Sequence, residues 1–253
     1  MAEPTLGINF AELKQSVGRF LGYGSSESEW TAEERSTIED IVQSGYRQFL
    51  YLPSMEGMPI VHEWSFLKPT VTLTTTADQA DDDLPDNFGR IIGSLTFPTN
   101  EGWGPVLADV GEARIRMQRQ GSNQTGRPLQ AAVRIVSAGA EGQRRQIMWW
   151  PTPDAVYSLT CRYEAQFDKL TEASPYPLGG AKHAETIRES CLAAAELHAN
   201  DEIGIHRRQF ESLAMTSVKR DKREGTQFFG NPNGGGTEYV RSYTLRVGQT
   251  VIQ

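Results

Sequence analysis

The sequence predicts an α+β fold: an antiparallel four-helix bundle with an inserted all-β domain (a sandwich or small barrel) and an extended C-terminal arm. Three observations carry this. Apolar residues repeat at helical spacing in two segments near the start of the chain and two near its end. The stretch between them alternates with the two-residue period of strands. A glycine-rich break separates the last helical segment from a β-prone tail. The expected boundaries are 1–60 and 174–225 for the two halves of the bundle, 61–173 for the β domain and 226–253 for the arm.

The first helix is marked by Phe10, Leu13, Val17, Phe20 and Leu21, which fall on one stripe. Asn9 and Glu12 have the spacing of a capping box, and Gly22-Tyr23-Gly24 stops the pattern. The second helix opens with Thr31 and Glu34 at the same spacing. It runs through Ile38, Ile41, Val42, Gly45, Tyr46 and Phe49 and ends before Pro53. Each helix has one apolar face, so each needs a partner.

Between Trp64 and Phe167 the texture is that of strands: Val71–Thr75, Ile91–Phe97, Ala132–Val136, Gln146–Trp150 and Tyr157–Tyr163. Turn residues punctuate them at Leu84-Pro85-Asp86, Thr125-Gly126-Arg127-Pro128, Ala138-Gly139 and Pro151-Thr152-Pro153-Asp154. Glu112–Gln120 reads as a short helix among the strands. The third long helix, His183–Ala199, places Ile187, Cys191, Ala194, Ala195 and His198 on one face. Gly204 interrupts it, and Ile205–Arg223 follows with Phe210, Leu213, Ala214, Ser217 and Val218 at helical spacing.

The tail holds Asn231-Pro232-Asn233-Gly234-Gly235-Gly236, a flexible break, and then the β-prone run Tyr239–Val247. Fully extended, residues 225–253 would reach on the order of 90 Å. That run is too apolar for a solvated linker. It suits a segment that lies on another chain or adds a strand to a neighbour's sheet edge.

The chain has 253 residues, 38% of them apolar and 23% charged, which fits a globular protein and excludes a wholly disordered or fibrous one. No run of about 18 apolar residues is present, so no membrane-spanning helix and no membrane partner are expected. Met1–Phe10 has neither the basic nor the apolar region of a secretory signal. The net charge of −7 argues against a chain that wraps nucleic acid, though not against one that surrounds it without gripping it. Cys161 and Cys191 are too few for a disulfide scaffold or a four-cysteine zinc site and read as buried thiols.

No catalytic, cofactor or metal motif emerges, and no enzyme is expected. His62, His183, His198 and His206 stand in no metal-binding context, and the chain has no G-x-S-x-G, P-loop or dinucleotide fingerprint. The acidic run Asp78, Asp81, Asp82, Asp83 and Asp86 lacks the glycine and terminal glutamate of a calcium loop and reads as a solvated turn. Arg114, Arg116, Arg119, Arg144 and Arg145 make the middle of the chain basic, whereas its first 40 residues are acidic. This asymmetry suits head-to-tail contact between copies. Trp64, Phe66, Trp103, Trp149 and Trp150 offer an alternative reading, a carbohydrate-binding module built on an aromatic platform.

An ordered series of segments carries a resemblance. It comprises Asp40–Leu50, Trp64-Ser65-Phe66-Leu67-Lys68-Pro69, Leu84-Pro85-Asp86-Asn87-Phe88-Gly89, Thr125-Gly126-Arg127-Pro128, Trp150-Pro151-Thr152-Pro153-Asp154 with Tyr157, and Pro175-Tyr176-Pro177-Leu178-Gly179-Gly180 with His183 and Glu185. Together, over about residues 31–230, these resemble the head-to-tail adaptor (connector) proteins of tailed bacteriophages. The resemblance implies a homo-oligomeric ring, commonly of twelve copies, assembled in the host cytoplasm and placed in the head-tail neck of the virion. Its partners would be copies of itself, the portal protein and a tail tube or nozzle protein, with genomic DNA passing through the lumen without sequence-specific binding. Another tail or neck structural protein is the nearest alternative. The arm residues Phe228, Phe229, Tyr239, Tyr243, Leu245 and Val247 are the expected partner contacts.

Overall fold

The computed structural model of the chain describes residues 5–54, 62–108, 110–122, 124–137 and 142–224. Its elements are α1 (Phe10–Phe20), α2 (Ala32–Leu50), β1 (Thr70–Thr74), β2 (Asp81–Asp83), β3 (Phe88–Thr96), α3 (Glu112–Gly121), β4 (Gln130–Ser137), β5 (Gln143–Trp150), β6 (Ser158–Ala165), α4 (Ala184–Asn200) and α5 (Ile205–Glu224). Their described residues form two compact units: a helical one up to Lys68 and from Gln166 to Glu224, and a β unit from Pro69 to Ala165.

In the helical unit both capping boxes form as their spacing requires. The Asn9 side chain accepts from the Glu12 N–H at 2.9 Å, and Glu12 accepts from the Asn9 N–H at 3.0 Å. Thr31 and Glu34 repeat the exchange at 3.2 and 2.8 Å. The expected one-faced stripe does not describe α4. Eleven of its 17 residues are buried, on every side, while His198 is exposed. Alanine, serine and cysteine keep α4 thin, so neighbours approach closely all round it. At Gly45 of α2 a Cβ would stand 2.4 Å from Cys191 Cα, and Ser190 Oγ donates to the Gly45 carbonyl at 2.6 Å.

The four-helix bundle is therefore corrected. The described residues contain five helices. Three of them are gathered around a buried α4, with α2 and α5 along it and α1 against α2 and α4; the fifth, α3, belongs to the β unit. A bundle shares one core among equivalent one-faced helices. A helix buried on all sides takes the centre instead.

Two flanking segments complete this core. Trp64, fully buried, donates its indole N–H to the Phe49 carbonyl at 2.8 Å. The Gln43 amide grips Leu170 twice, donating to its carbonyl at 2.7 Å and accepting from its N–H at 3.0 Å.

The β unit is two small antiparallel sheets, ordered β1-β6-β3 and β2-β5-β4. This corrects the expected sandwich or barrel. β1 pairs with the distant β6, a pairing that no local signal encodes. β2 forms from three consecutive aspartates where a solvated turn was expected. Ile147, Met148 and Trp149 of β5 are buried in succession, so both faces of that strand are covered. On one of them α3 inserts Ile115 against Ala132 and Met148.

Candidate functional site

Three of the four histidines are tied up in structure. His62 bonds Asp221 at 2.8 Å and His206 bonds Glu189 at 2.7 Å. His183 lies among Phe49, Trp64 and Phe66, with ring centroids 5.2–5.9 Å away. Among the described residues no group of three His, Cys, Asp or Glu is placed to hold a metal ion. Burial pushes the Cys161 thiol up to about 11 and that of Cys191 up to about 12, so neither is an activated nucleophile.

The acidic run has a structural explanation that its sequence did not reveal. Asp81 bridges Arg119 of α3 at 2.8 Å and Arg134 of β4 at 3.0 Å. Asp82 accepts the Trp149 indole N–H at 2.6 Å, Asp83 accepts from Gln146 at 2.7 Å, and Asp86 pairs with Arg144. Arg119 also donates to the Ala80 and Trp149 carbonyls, and Arg145 to that of Phe88. The basic character expected at an interface is thus largely consumed inside the unit. Arg114 and Arg116, the latter paired with Glu112 at 3.4 Å, are exposed on α3 with Met117, which is 71% exposed.

The five aromatics proposed as a platform are not brought together. Trp64 and Phe66 belong to the helical unit, where Trp64 is fully buried; Trp149 is fully buried in the β unit. Only Trp103 is strongly exposed. It forms a surface cluster with two residues that the platform reading overlooked, Phe97 at 5.1 Å and Tyr157 at 5.7 Å, with the Arg127 guanidinium 5.2 Å above its ring.

In the helical unit an open cleft of about 490 Å³ lies between α2 and α4, lined by Asp40, Ile41, Ser44, Leu197, His198 and Asp201 among others. Ser44 and His198 share no hydrogen bond there, so no nucleophile–base pair is set up. Beside it the α4–α5 connection exposes Leu197, Ile203 and Ile205 at 50–70%.

The six arm residues named as partner contacts, Phe228, Phe229, Tyr239, Tyr243, Leu245 and Val247, lie outside the described residues. Against known proteins, a family model described as SU10 adaptor protein matches residues 8–233. No curated protein matches the chain.

Proposed function

Because the chain belongs to the SU10 adaptor protein family, a family of phage head-to-tail adaptors, we propose that it assembles as a ring of identical copies on the portal. The ring offers the tail tube or nozzle its attachment surface and surrounds the channel through which DNA leaves. The observation that carries this reading is the extent of the family match, which runs through both units rather than one module.

A ring is built from heterologous contacts, one surface of a copy meeting a different surface of the next. The chain offers distinct surfaces of that kind: the apolar α4–α5 connection, the Arg114–Met117 side of α3 and the Phe97–Trp103–Tyr157 cluster. The net charge of −7 suits a channel that lets DNA slide, since a tight grip requires clustered Lys and Arg against phosphates. Twelve copies, as is common among such adaptors, is the expected number.

The arm supplies contacts that the compact units do not. Phe228, Phe229, Tyr239, Tyr243, Leu245 and Val247 give it enough apolar surface to bind neighbouring chains or the portal, at about 25 cal/mol per Å² less the ordering cost. Deleting residues 226–253 is expected to leave a folded protein that attaches weakly to portal-containing heads. Circular dichroism checks the fold, and native mass spectrometry or electron microscopy checks attachment. Normal attachment of the truncated chain would overturn the arm's role. Binding to tail components without any binding to portal would favour a different neck or tail protein.

A further inference from the structure

The described sheets have four outer edges, and they are not alike. β2 is three aspartates long. β1 is five residues, three of them threonine. β3 is partly closed by Val106, which pairs with Leu95 through bonds of 2.8 and 3.1 Å. β4 is eight residues long and pairs with β5 along its whole length on its inner side only.

The hydrogen-bond directions show which groups of β4 look outward. Trp149 N–H donates to the Ala80 carbonyl and the Arg145 carbonyl accepts from Leu84, so the odd residues of β5 turn their main chain to β2 and the even ones to β4. The register pairs Ala132 with Met148 and Arg134 with Gln146. The N–H and C=O groups of Ala131, Val133 and Ile135 therefore point to the open edge. Leu107 closes that edge at Ala131, at 2.8 Å, but no main-chain bond to Val133 or Ile135 from beyond the sheet exists among the described residues.

The side chains sharpen the contrast. Ala131, Val133 and Ile135 share one face of the strand with Trp149, Ile147 and Arg145, their respective partners on β5. Their exposure rises along it, from none at Ala131 to 62% at Ile135. Long apolar edges are normally blunted by charge, proline or brevity. This edge has no proline and is eight residues long, and its one charge, Arg134, is held by Gln146 at 2.7 Å and Asp81 at 3.0 Å.

We propose that the β4 edge receives the Tyr239–Val247 segment of another copy as a fourth strand. The partner segment has the matching chemistry. Tyr239, Arg241, Tyr243, Leu245 and Val247 alternate on one side, apolar in all but Arg241, to extend the face beyond Ile135, while Val240, Ser242, Thr244 and Arg246 fall on the other. The 14 residues between the end of α5 at Glu224 and Tyr239 include Gly234-Gly235-Gly236, which gives the tether its reach. The inference rests on the adaptor reading only for the donor being a second copy.

The test is disulfide trapping in full-length chains mixed in the presence of portal protein. One chain carries Ile135→Cys; the other carries a single cysteine at one position from 240 through 246. Ile135 is exposed enough to be replaced without harm to the core, and the native Cys161 and Cys191 are buried. Disulfides need Cα atoms within about 4.4–6.8 Å. Crosslinked dimers whose yield rises and falls with a period of two along 240–246 are the expected result. A chain given both cysteines serves as the control: a crosslink that forms within it but never between the two separate chains would overturn the proposal, and so would a flat profile. Copies that associate by native mass spectrometry yet never crosslink would overturn it and leave the adaptor reading standing. Chains that neither associate with one another nor bind portal would overturn both.

Discussion

The helical unit and the β unit stabilise polar groups in opposite ways. The helical unit encloses individual charges deep in its core and gives each a full set of partners. Lys14, buried, bonds Glu172 at 2.6 Å and Glu27 at 3.1 Å. Glu196, also buried, accepts the N–H groups of Ile205, His206 and Arg207 at 2.9–3.3 Å, capping the first turn of α5 from α4. The β unit instead spreads its charges as a partly exposed lattice centred on Asp81, Arg119 and Arg134, and, among the described residues, leaves the outward groups of Val133 and Ile135 without a main-chain partner. A core closed on itself suits a rigid body. A strand edge left open on a charge-locked sheet suits a docking element.

The comparison breaks most sharply at Gly45. Replacing it with alanine drives a methyl group into the backbone of α4, 2.4 Å from Cys191 Cα, where neither helix can yield cheaply. The expected loss is about 3 kcal/mol. It should be confined to the helical unit and read as faster hydrogen exchange in α2 and α4 with β5 and β6 unchanged. Equal loosening of both units would show that they do not keep separate stabilities.

A second contrast sets one carboxylate of each unit side by side. Glu196→Ala removes a buried cap from three main-chain donors and is expected to cost about 2 kcal/mol. Asp81→Ala removes a partner from two half-exposed arginines and is expected to cost about 1 kcal/mol. Denaturant unfolding of both variants gives the ranking. The reverse order would mean that the lattice, not the enclosed charges, is the stronger device.

What was legible in the sequence divides along the same line. The long helices and both capping boxes were readable because Asn9–Glu12 and Thr31–Glu34 are local signals. The strand segments were readable because β-branched alternation is local too. The central place of α4 was less so: Ser190, Glu189 and Glu196 interrupt its apolar pattern, and their partners lie in α2 and α5. The conversion of Asp81-Asp82-Asp83 into a strand was not readable at all, since Arg119, Arg134 and Trp149 make it favourable from 38 to 67 residues away. The pairing of β1 with β6 is non-local in the same way. Of the five aromatics read as a platform, Trp103 alone is strongly exposed. Its neighbours Phe97 and Tyr157 were missed because nothing in their spacing ties them to it.

The smallest expected effect concerns pH, and it tests whether the enclosed charges of the helical unit act singly. Burial pushes the Asp221 carboxyl up, but His62 at 2.8 Å, the Ser65 hydroxyl at 2.5 Å and the Ser65 N–H at 3.0 Å outweigh it, and the net shift is downward from 3.8. A carboxyl depressed in the folded state stabilises fully above pH 3.8, and this stabilisation disappears as the pH falls through the lower folded value. Lys14 has the opposite sign. Burial pushes its ammonium down, hydrogen bonds to Glu172 and Glu27 more than compensate, and the net shift is upward from 10.5. Its contribution is full below pH 10.5 and disappears as the pH rises through the higher folded value. Asp221→Asn should therefore flatten the acid limb of the unfolding midpoint against pH and leave the alkaline limb alone, while Lys14→Met should do the reverse. If either substitution altered both limbs, the two charges would be coupled through the shared core, and the picture of individually partnered sites would give way to one of a single network.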